Sequence, residues 1–249
     1  MPMSIASARQ PAAGGSLFEH AISRLLMRPA RVTETVTLSA TFRLIDLDCE
    51  ALKDCAWSPG DKIELEFDGG LTARSYTPIM VDRAAGHTRI LAYSRGTGPG
   101  SEWVRGVALD DECQILGPRN SLDLSGLKPP TVVFGDETSF GLAAALQRNA
   151  LNPRGLHAIF EVTALPESLM VLDTMGIMAS AVIERRADQS HLAEVAETIL
   201  RVMDDRTTFI LTGKSQSIRH VARALKGRDV AARRLKMKAY WTPERAGLD

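Results

Sequence analysis

The sequence predicts an α+β protein of two domains, in which an antiparallel Greek-key β-barrel is followed by an α/β domain with a parallel sheet. Up to residue 127, short runs of alternating apolar and polar residues are separated by turn residues, a pattern typical of antiparallel strands. After Pro129-Pro130, short apolar runs alternate with segments of helical periodicity, a pattern typical of βαβ units. We therefore expect residues 1–29 to form a tail and a helix, residues 30–127 the barrel, and residues 128–249 the α/β domain.

Composition excludes several classes of function. The 30 basic residues balance 30 acidic ones, so the chain lacks the positive excess of a nucleic-acid binder. No run approaches the about 18 apolar residues of a membrane span, and the N-terminus does not have the pattern of a secretory signal. The three cysteines have neither disulfide nor zinc-ligand spacing. We expect a cytoplasmic monomer without a metal site, without nucleic-acid binding and without stable membrane association.

The elements of the first half are assigned from periodicity. Apolar residues at spacings of three and four predict a helix over residues 16–27, which ends before Pro29. Period-two alternation predicts the strands that follow, and Gly, Pro and Asp residues mark the turns between them. The predicted strands are 35–47, 63–67, 72–81, 89–93 and 113–116.

The second half contains β-branched and apolar runs between amphipathic segments. The runs predict strands at 131–134, 156–162, 179–184 and 209–211. The amphipathic segments predict helices from about 139 to 149, 191–203 and 217–226, with a turn at 212–214.

One predicted strand carries a combination of side chains suited to a flavin nucleotide. Arg74 presents a guanidinium fork that matches phosphate oxygens. Tyr76 lies on the same face of the strand and offers a ring that can lie against another aromatic system. Thr77 faces the other way, but a bend before Pro78 would let its hydroxyl or amide reach a ring nitrogen. The sequence therefore predicts a site for a flat ligand that carries phosphate.

A glycine-rich turn strengthens this prediction. Gly96, Gly98 and Gly100 allow close approach of the backbone to a ligand, and Ser101 is a suitable N-cap for a helix that begins at Glu102. The N-terminus of that helix is an anion site, suited to a pyrophosphate.

A second segment lies where nucleotides bind in open parallel sheets, between the first predicted strand of the α/β half and its helix. Its sequence is Gly135-Asp136-Glu137-Thr138, which differs from the G-x-G-x-x-G fingerprint of dinucleotide-binding folds.

From about Ala30 to the end, the sequence resembles the siderophore-interacting proteins, flavin-dependent ferric-siderophore reductases of the ferredoxin–NADP reductase superfamily. Five segments in the same order carry the resemblance, and each of them alone would be weak. They are Arg74-Ser75-Tyr76-Thr77, Gly98-Pro99-Gly100-Ser101-Glu102-Trp103, Gly117-Pro118-Arg119, Gly135-Asp136-Glu137-Thr138 and Tyr240-Trp241.

The resemblance implies FAD and NAD(P)H as cofactors and a ferric siderophore as substrate, with ferrous iron released after reduction. It implies that Arg74 holds flavin phosphate, that Tyr76 and Thr77 act at the reactive ring, and that Tyr240 and Trp241 close over it. Arg119 and Arg245 would meet the substrate. The cofactor-binding set is Arg74, Ser75, Tyr76, Thr77, Tyr93, Ser94, Gly96, Gly98, Pro99, Gly100, Ser101, Trp103, Gly135, Asp136, Glu137, Thr138, Gly213 and Trp241.

Three positions depart from the family pattern. Arg95 stands where histidine is common, Lys214 where glutamate often follows Gly213, and Thr242 where arginine usually follows the aromatic pair. Two hypotheses therefore stay open, an NAD(P)H-dependent flavin oxidoreductase and a flavin- or siderophore-binding protein of the same fold with little turnover. Arg185 and Arg186 follow a predicted strand, where they could bind a 2′-phosphate or form a solvated charge pair.

Overall fold

A computed structural model of the chain describes residues 25–67, 72–150 and 153–243. Most of the predicted N-terminal helix, the turn at 68–70 and Arg245 lie outside these ranges. The described elements form two sheets, one antiparallel and one parallel, which confirms the predicted fold class. None of the described helices is long and apolar enough to cross a membrane.

The first sheet has seven antiparallel strands in the order β4-β3-β7-β1-β2-β6-β5. The strands β4 and β5 are the two ends of this order, yet a single residue, Thr77, separates them in the chain. The sheet therefore curls until its two edges meet at Thr77, which makes it a barrel. Its elements are β1 Arg28–Thr37, β2 Phe42–Asp48, β3 Lys62–Phe67, β4 Thr72–Tyr76, β5 Pro78–Asp82, β6 His87–Tyr93, α1 Pro99–Gly106 and β7 Glu112–Arg119.

Two predicted strands are each divided in the structure. The run predicted over 35–47 is a hairpin of β1 and β2, because the Ser39 hydroxyl accepts hydrogen bonds from the backbone N–H groups of Thr41 (3.3 Å) and Phe42 (3.1 Å) and stabilises a turn. The run predicted over 72–81 is interrupted at Thr77, where the barrel closes. Apolar alternation continues through both turns, so periodicity alone did not locate them.

The second sheet has five parallel strands in the order β10-β9-β8-β11-β12. Successive strands are added first to one side of β8 and then to the other, so the order reverses between β8 and β11. The elements are β8 Thr131–Gly135, α2 Phe140–Asn149, β9 Leu156–Val162, α3 Leu165–Thr174, β10 Ala181–Glu184, α4 His191–Val202, β11 Thr208–Lys214, α5 Ser215–Lys226 and β12 Leu235–Trp241.

The sequence reading missed two of these elements and misassigned a third segment. It missed α3 and took β12 for a tail that ends in an aromatic pair. The predicted turn at 212–214 belongs to β11, which pairs with β12 up to Lys214 and Trp241. Lys236 and Lys238 give β12 the charged character of an edge strand, and this hides its apolar alternation.

Aromatic packing joins the two sheets. Phe42 of β2 stacks on Phe140 at the start of α2, with ring centroids 5.4 Å apart, and Phe140 packs edge-on against Phe160 of β9. Between β7 and β8, Leu122 and Leu124 pack against the parallel sheet. The predicted boundary at 127/128 falls within this connection and stays a prediction.

Candidate cofactor site between the two sheets

A cavity of about 240 Å³ lies where the barrel seam at Thr77 meets the second sheet near the end of β12. Both sheets contribute to its wall, since the Thr77 hydroxyl lies 3.5 Å from the Tyr240 hydroxyl. The lining residues are Lys62, Arg74, Ser75, Tyr76, Thr77, Leu91, Tyr93, Arg95, Gly100, Ser101, Ser121, Thr138, Gly141, Lys238, Ala239, Tyr240 and Trp241. The whole Arg74-Ser75-Tyr76-Thr77 segment is therefore in one place.

Arg74 lies beside the N-terminal turn of α1. A Cβ atom on Gly100 would stand 2.9 Å from Cγ and 3.1 Å from Nε of Arg74, so the absence of a side chain at Gly100 makes room for the arginine. Arg74 donates a hydrogen bond of 2.7 Å to the Ala73 carbonyl. A guanidinium at a helix N-terminus combines a full charge with the positive end of the helix dipole, which is a strong arrangement for phosphate.

The charge of the cavity wall has a single sign. Four basic side chains line it, and the described lining contains no carboxylate. Lys62 is also paired with Glu64 at 2.8 Å. The remaining three basic residues, Arg74, Arg95 and Lys238, make no ion pair with any residue in the described ranges. The wall therefore favours an anionic ligand.

Aromatic side chains supply the rest of the wall. Burial raises the pKa of Tyr76 and Tyr93, and it raises the pKa of Tyr240 to about 12. All three phenols are therefore neutral hydrogen-bonding groups at physiological pH. Tyr76 also packs on Trp103, with ring centroids 6.2 Å apart, so its ring has a fixed support on the barrel side.

The helix after the glycine-rich turn begins earlier than predicted. It starts at Pro99 with Gly98 as the N-cap, whereas Ser101 lies inside its first turn. Proline at this position fixes a helical φ and needs no hydrogen-bond partner. The Ser101 hydroxyl donates to the Arg95 carbonyl at 2.7 Å instead, and this contact holds the turn against the helix.

The Gly135-Asp136-Glu137-Thr138 segment follows β8 at the reversal point of the sheet, but its two acids point into the protein. Asp136 is 1% exposed and Glu137 is 3% exposed. Glu137 pairs with Arg185 at 2.6 Å and accepts a hydrogen bond of 2.5 Å from the backbone N–H of Thr163. Within this segment only Thr138 lines the cavity.

Arg185 is the centre of a buried ionic cluster, so it does not form a solvated charge pair with Arg186, which was one of the two alternatives. Its guanidinium lies 2.6 Å from Glu137, 3.3 Å from Glu161 and 3.6 Å from Asp136. Burial alone lowers the pKa of Arg185, but the three carboxylates raise it above its ordinary value. Arg185 is thus held by carboxylates, while Arg186 pairs with Glu194 at the surface.

The three positions that depart from the family pattern lie around Trp241. The Arg95 guanidinium lies 3.5 Å from the centroid of its ring, and the Lys214 ammonium lies 5.7 Å from it. Thr242 follows Trp241 and donates a hydrogen bond of 3.0 Å to the Ser215 hydroxyl. Residues far apart in the sequence therefore form one local arrangement.

Several predicted site residues are placed outside the cavity wall. Trp103 stacks on Phe67 in the barrel core, with ring centroids 5.0 Å apart. Arg119 forms an ion pair with Glu64 on the barrel. The other predicted residues that the cavity lining does not include are Ser94, Gly96, Gly98, Pro99, Gly135 and Gly213, together with Asp136 and Glu137.

The wall also contains residues that the predicted site did not include. Tyr240 had entered only through the resemblance, and Lys62, Ser121, Gly141 and Lys238 were not predicted at all. Lys62 and Lys238 lie on strands of different sheets, so no spacing in the sequence could have placed them together. The lysine alternation in β12 was the one available signal for Lys238.

Together the barrel, the parallel sheet and the cavity at their junction define a fold of the ferredoxin reductase class, which solved structures share. A siderophore utilization protein from T. fusca is 18% identical, with a TM-score of 0.67 over 90% of this chain and 95% of that one. The siderophore-interacting protein SipS from Aeromonas hydrophila is 19% identical, with a TM-score of 0.66 over 87% of this chain and 99% of that one. A ferredoxin reductase in carbazole 1,9a-dioxygenase is 15% identical, with a TM-score of 0.70 over 86% of this chain and 68% of that one.

No family model and no curated protein sequence matches the chain. The structural similarity confirms, at the level of the fold, the resemblance that the sequence motifs carry.

Proposed function

We propose that the chain is an NAD(P)H-dependent flavin oxidoreductase that binds FAD in the cavity between the two sheets. The cavity itself carries this proposal, because Arg74, Ser75, Tyr76 and Thr77 line it next to the N-terminus of α1. Such a wall offers an anion site and aromatic surfaces within one enclosure. The residues present therefore fit a flavin nucleotide.

Three residues of the wall have a stated role in this proposal. Arg74 and the N-terminus of α1 would bind phosphate, Tyr76 would support the flavin ring, and the seam residue Thr77 would contact its reactive edge. FAD would supply the exchange between a two-electron donor and one-electron acceptors. The chain itself orients the ligands and limits the access of water with its half-buried neutral phenols.

The nicotinamide nucleotide would bind at the carboxyl ends of the parallel strands, where β8 and β11 separate. Thr138 lies on the cavity side of this point and is the residue of its segment best placed to contact such a ligand. Asp136 and Glu137 are held by Trp241 and Arg185, so we do not assign them to the nucleotide.

For the electron acceptor we propose a ferric siderophore, from which ferrous iron is released after reduction. The siderophore-interacting proteins of similar fold support this choice, as does the basic wall, which favours an anionic substrate. Arg95 and Lys238 are the wall residues that make no ion pair and are best suited to meet it. We further propose that the protein works in the cytoplasm as a monomer with separate flavin and nucleotide domains.

A binding protein with little turnover is the second candidate. The observation that favours it is the position of Trp241, whose ring is covered by Arg95 and tied to Asp136 on the nucleotide side of the cavity. If this arrangement persisted with flavin bound, a nicotinamide ring would have no access.

The absorbance spectrum of the purified protein, before and after anaerobic addition of NADH or NADPH, tests the proposal. We expect a flavin absorbance band at about 450 nm that bleaches when either nicotinamide nucleotide is added. A protein that takes up FAD but resists both donors would favour the binding role. A protein that takes up no FAD would refute the reductase and leave siderophore binding as the only form of the second candidate. Ferric-siderophore titration of the reduced protein would then test the acceptor.

A further inference from the structure

We propose that Asp136 is a positioning residue that holds the Trp241 indole across the nucleotide side of the cavity, while Arg95 stacks on the ring. A second planar ligand could then enter the cavity only after Trp241 moves away from Asp136. The functional consequence rests on the proposed function, because it assumes that a nicotinamide approaches from this side. The contact itself does not depend on that assumption.

Both carboxylate oxygens of Asp136 accept hydrogen bonds from donors of the protein itself. Oδ2 accepts a hydrogen bond of 2.7 Å from Nε1 of Trp241. Oδ1 accepts from the backbone N–H of Thr138 at 2.9 Å and also from the Thr138 hydroxyl. With both oxygens engaged and only 1% of its surface exposed, Asp136 faces the chain's own donors and not the cavity.

Gly213 leaves the space in which the carboxylate lies. Its φ is +95°, and a Cβ atom there would stand 2.6 Å from the carboxyl carbon of Asp136. The pairing of β11 with β12 shifts register at the same point, so that Lys214 pairs with Trp241. The end of β11 is therefore shaped to let a carboxylate from β8 reach an indole on β12.

Arg95 brings the barrel into the same contact. Its guanidinium lies 3.5 Å from the centroid of the Trp241 ring, within the range of a cation–π interaction. The Arg95 carbonyl accepts the hydrogen bond from Ser101, which fixes the turn before α1. Trp241 is thus held by Asp136 on the side of the parallel sheet and by Arg95 on the side of the barrel, with Lys214 and Arg185 farther from its ring centroid, at 5.7 and 6.0 Å. The contact spans the junction that contains the cavity.

The charge state of Asp136 should control the contact, because an ionised carboxylate is the stronger acceptor. Arg185, directly after β10, faces Asp136, and Glu137 follows it on the same segment. The phenols of Tyr93 on β6 and Tyr240 on β12 also face it. Burial outweighs the opposing effect of Arg185 and raises the pKa of Asp136 to about 6. The contact is therefore expected to weaken as the pH falls through this value.

Acrylamide quenching of tryptophan fluorescence in the flavin-free protein tests the proposal. The Trp241 signal is the difference between the wild-type protein and Trp241→Phe, since Trp57 and Trp103 contribute to both. We expect Arg95→Gln to raise the quenching constant of this signal about two- to fivefold. Arg105→Gln is the matched control, because Arg105 lies on the same side of the barrel and donates to the Gly96 carbonyl instead. It should leave the signal unchanged.

The pH dependence of Trp241 quenching in Asp136→Asn distinguishes a positioning role of Asp136 from a merely structural one. In the wild-type protein the quenching of Trp241 should increase below about pH 6, and in the asparagine variant it should be high and independent of pH. Identical pH profiles in the two proteins would overturn the proposal. If Asp136→Asn does not fold, Arg95→Gln decides, and an unchanged quenching constant there would also overturn it.

The functional consequence is measured separately on the FAD-loaded protein by titration with NAD⁺ and NADP⁺. Arg95→Gln should bind one of them about two- to fivefold more tightly than the wild type, while Arg105→Gln should not. If the protein takes up no FAD, the proposed function fails but the quenching result stands. If FAD and the nicotinamide nucleotide both bind, but Arg95→Gln leaves the quenching constant of Trp241 unchanged, the positioning role alone fails.

Discussion

The arginines on the barrel side of the cavity and the buried charges on the side of the parallel sheet are used in opposite ways. On the barrel side, Arg74 and Arg95 make no ion pair with any described residue and lie in the cavity wall. On the side of the parallel sheet, Asp136, Glu137 and Glu161 are buried around Arg185, and none of the four lines the cavity. Lys238 of β12 is the exception on this side, since it lines the cavity. The buried acidic cluster is thus used within the protein, whereas the basic residues of the wall face a ligand.

The comparison shows that charged residues in a motif do not by themselves define a binding site. Both segments were predicted to bind cofactor. The barrel segment lies at a seam where the strands part, and its side chains have space in front of them. The acids after β8 are buried, Asp136 beside β11 and β12 and Glu137 beside the ends of β9 and β10, where an unpaired charge would be costly, so they pair with internal donors.

The largest expected effect distinguishes the buried arginine from its exposed neighbour. Arg185→Met leaves three carboxylates without their cation, and we expect it to lower the free energy of unfolding by about 3–5 kcal/mol. Arg186→Met removes only a surface pair with Glu194 and should cost less than about 1 kcal/mol. Urea denaturation of the two variants measures the difference. Equal losses of unfolding free energy in the two variants would contradict the assignment of Arg185 to a buried ionic cluster and of Arg186 to a surface pair.

The second prediction concerns the pH dependence of stability. Burial raises the pKa of Asp136 in the folded protein from 3.8 to about 6, so folding favours the protonated form. Its contribution to stability is complete below about pH 3.8 and is lost as the pH rises through about 6, a change of about 3 kcal/mol. Denaturation from pH 4 to 7 should show the wild type losing stability relative to Asp136→Asn. If the stabilities of the two proteins changed in parallel over this pH range, burial would not raise the pKa of Asp136.

The third prediction concerns Arg74 and the cavity. Arg74→Ala removes a charge-assisted contact and should weaken flavin binding by about 1.5–3 kcal/mol, or roughly 10- to 150-fold. Arg83→Ala removes an arginine elsewhere on the barrel and is the control. Fluorescence titration with FAD measures both affinities. An Arg74→Ala protein with wild-type affinity would place the phosphate elsewhere.

The smallest expected effect concerns the glycine behind Arg74. Gly100→Ala places a Cβ atom 2.9 Å from Cγ of Arg74, and because the arginine is flexible it should turn aside rather than unfold the site. We expect FAD affinity to fall by about 0.5–1 kcal/mol. The same change in an Arg74→Ala background should have no effect. A full loss in that background would mean that Gly100 acts on the ligand directly.

The sequence was informative where local patterns decide local structure. Period-two alternation located β3 and β6, and helical spacing located α4 and α5. It failed at the hairpin of Leu38 to Thr41 and at α3, because turns without glycine and short helices of mixed character leave little pattern. The cavity lining shows the same division. The four residues from Arg74 to Thr77 are adjacent in the sequence and could be grouped from it, while Lys62 and Lys238 come together only because two sheets meet.

By itself, the sequence determined two kinds of sheet, the order in which they occur and the strand whose side chains line the cavity. Only the tertiary structure decided that Thr77 closes the barrel and that Asp136 turns towards Trp241 instead of the cavity. The physical reason is that periodicity fixes which face of an element a residue occupies. At the end of a strand, however, the direction of a side chain depends on the space left by its neighbours. Here that space lies beside Gly213, on a strand that is more than 70 residues away in the chain.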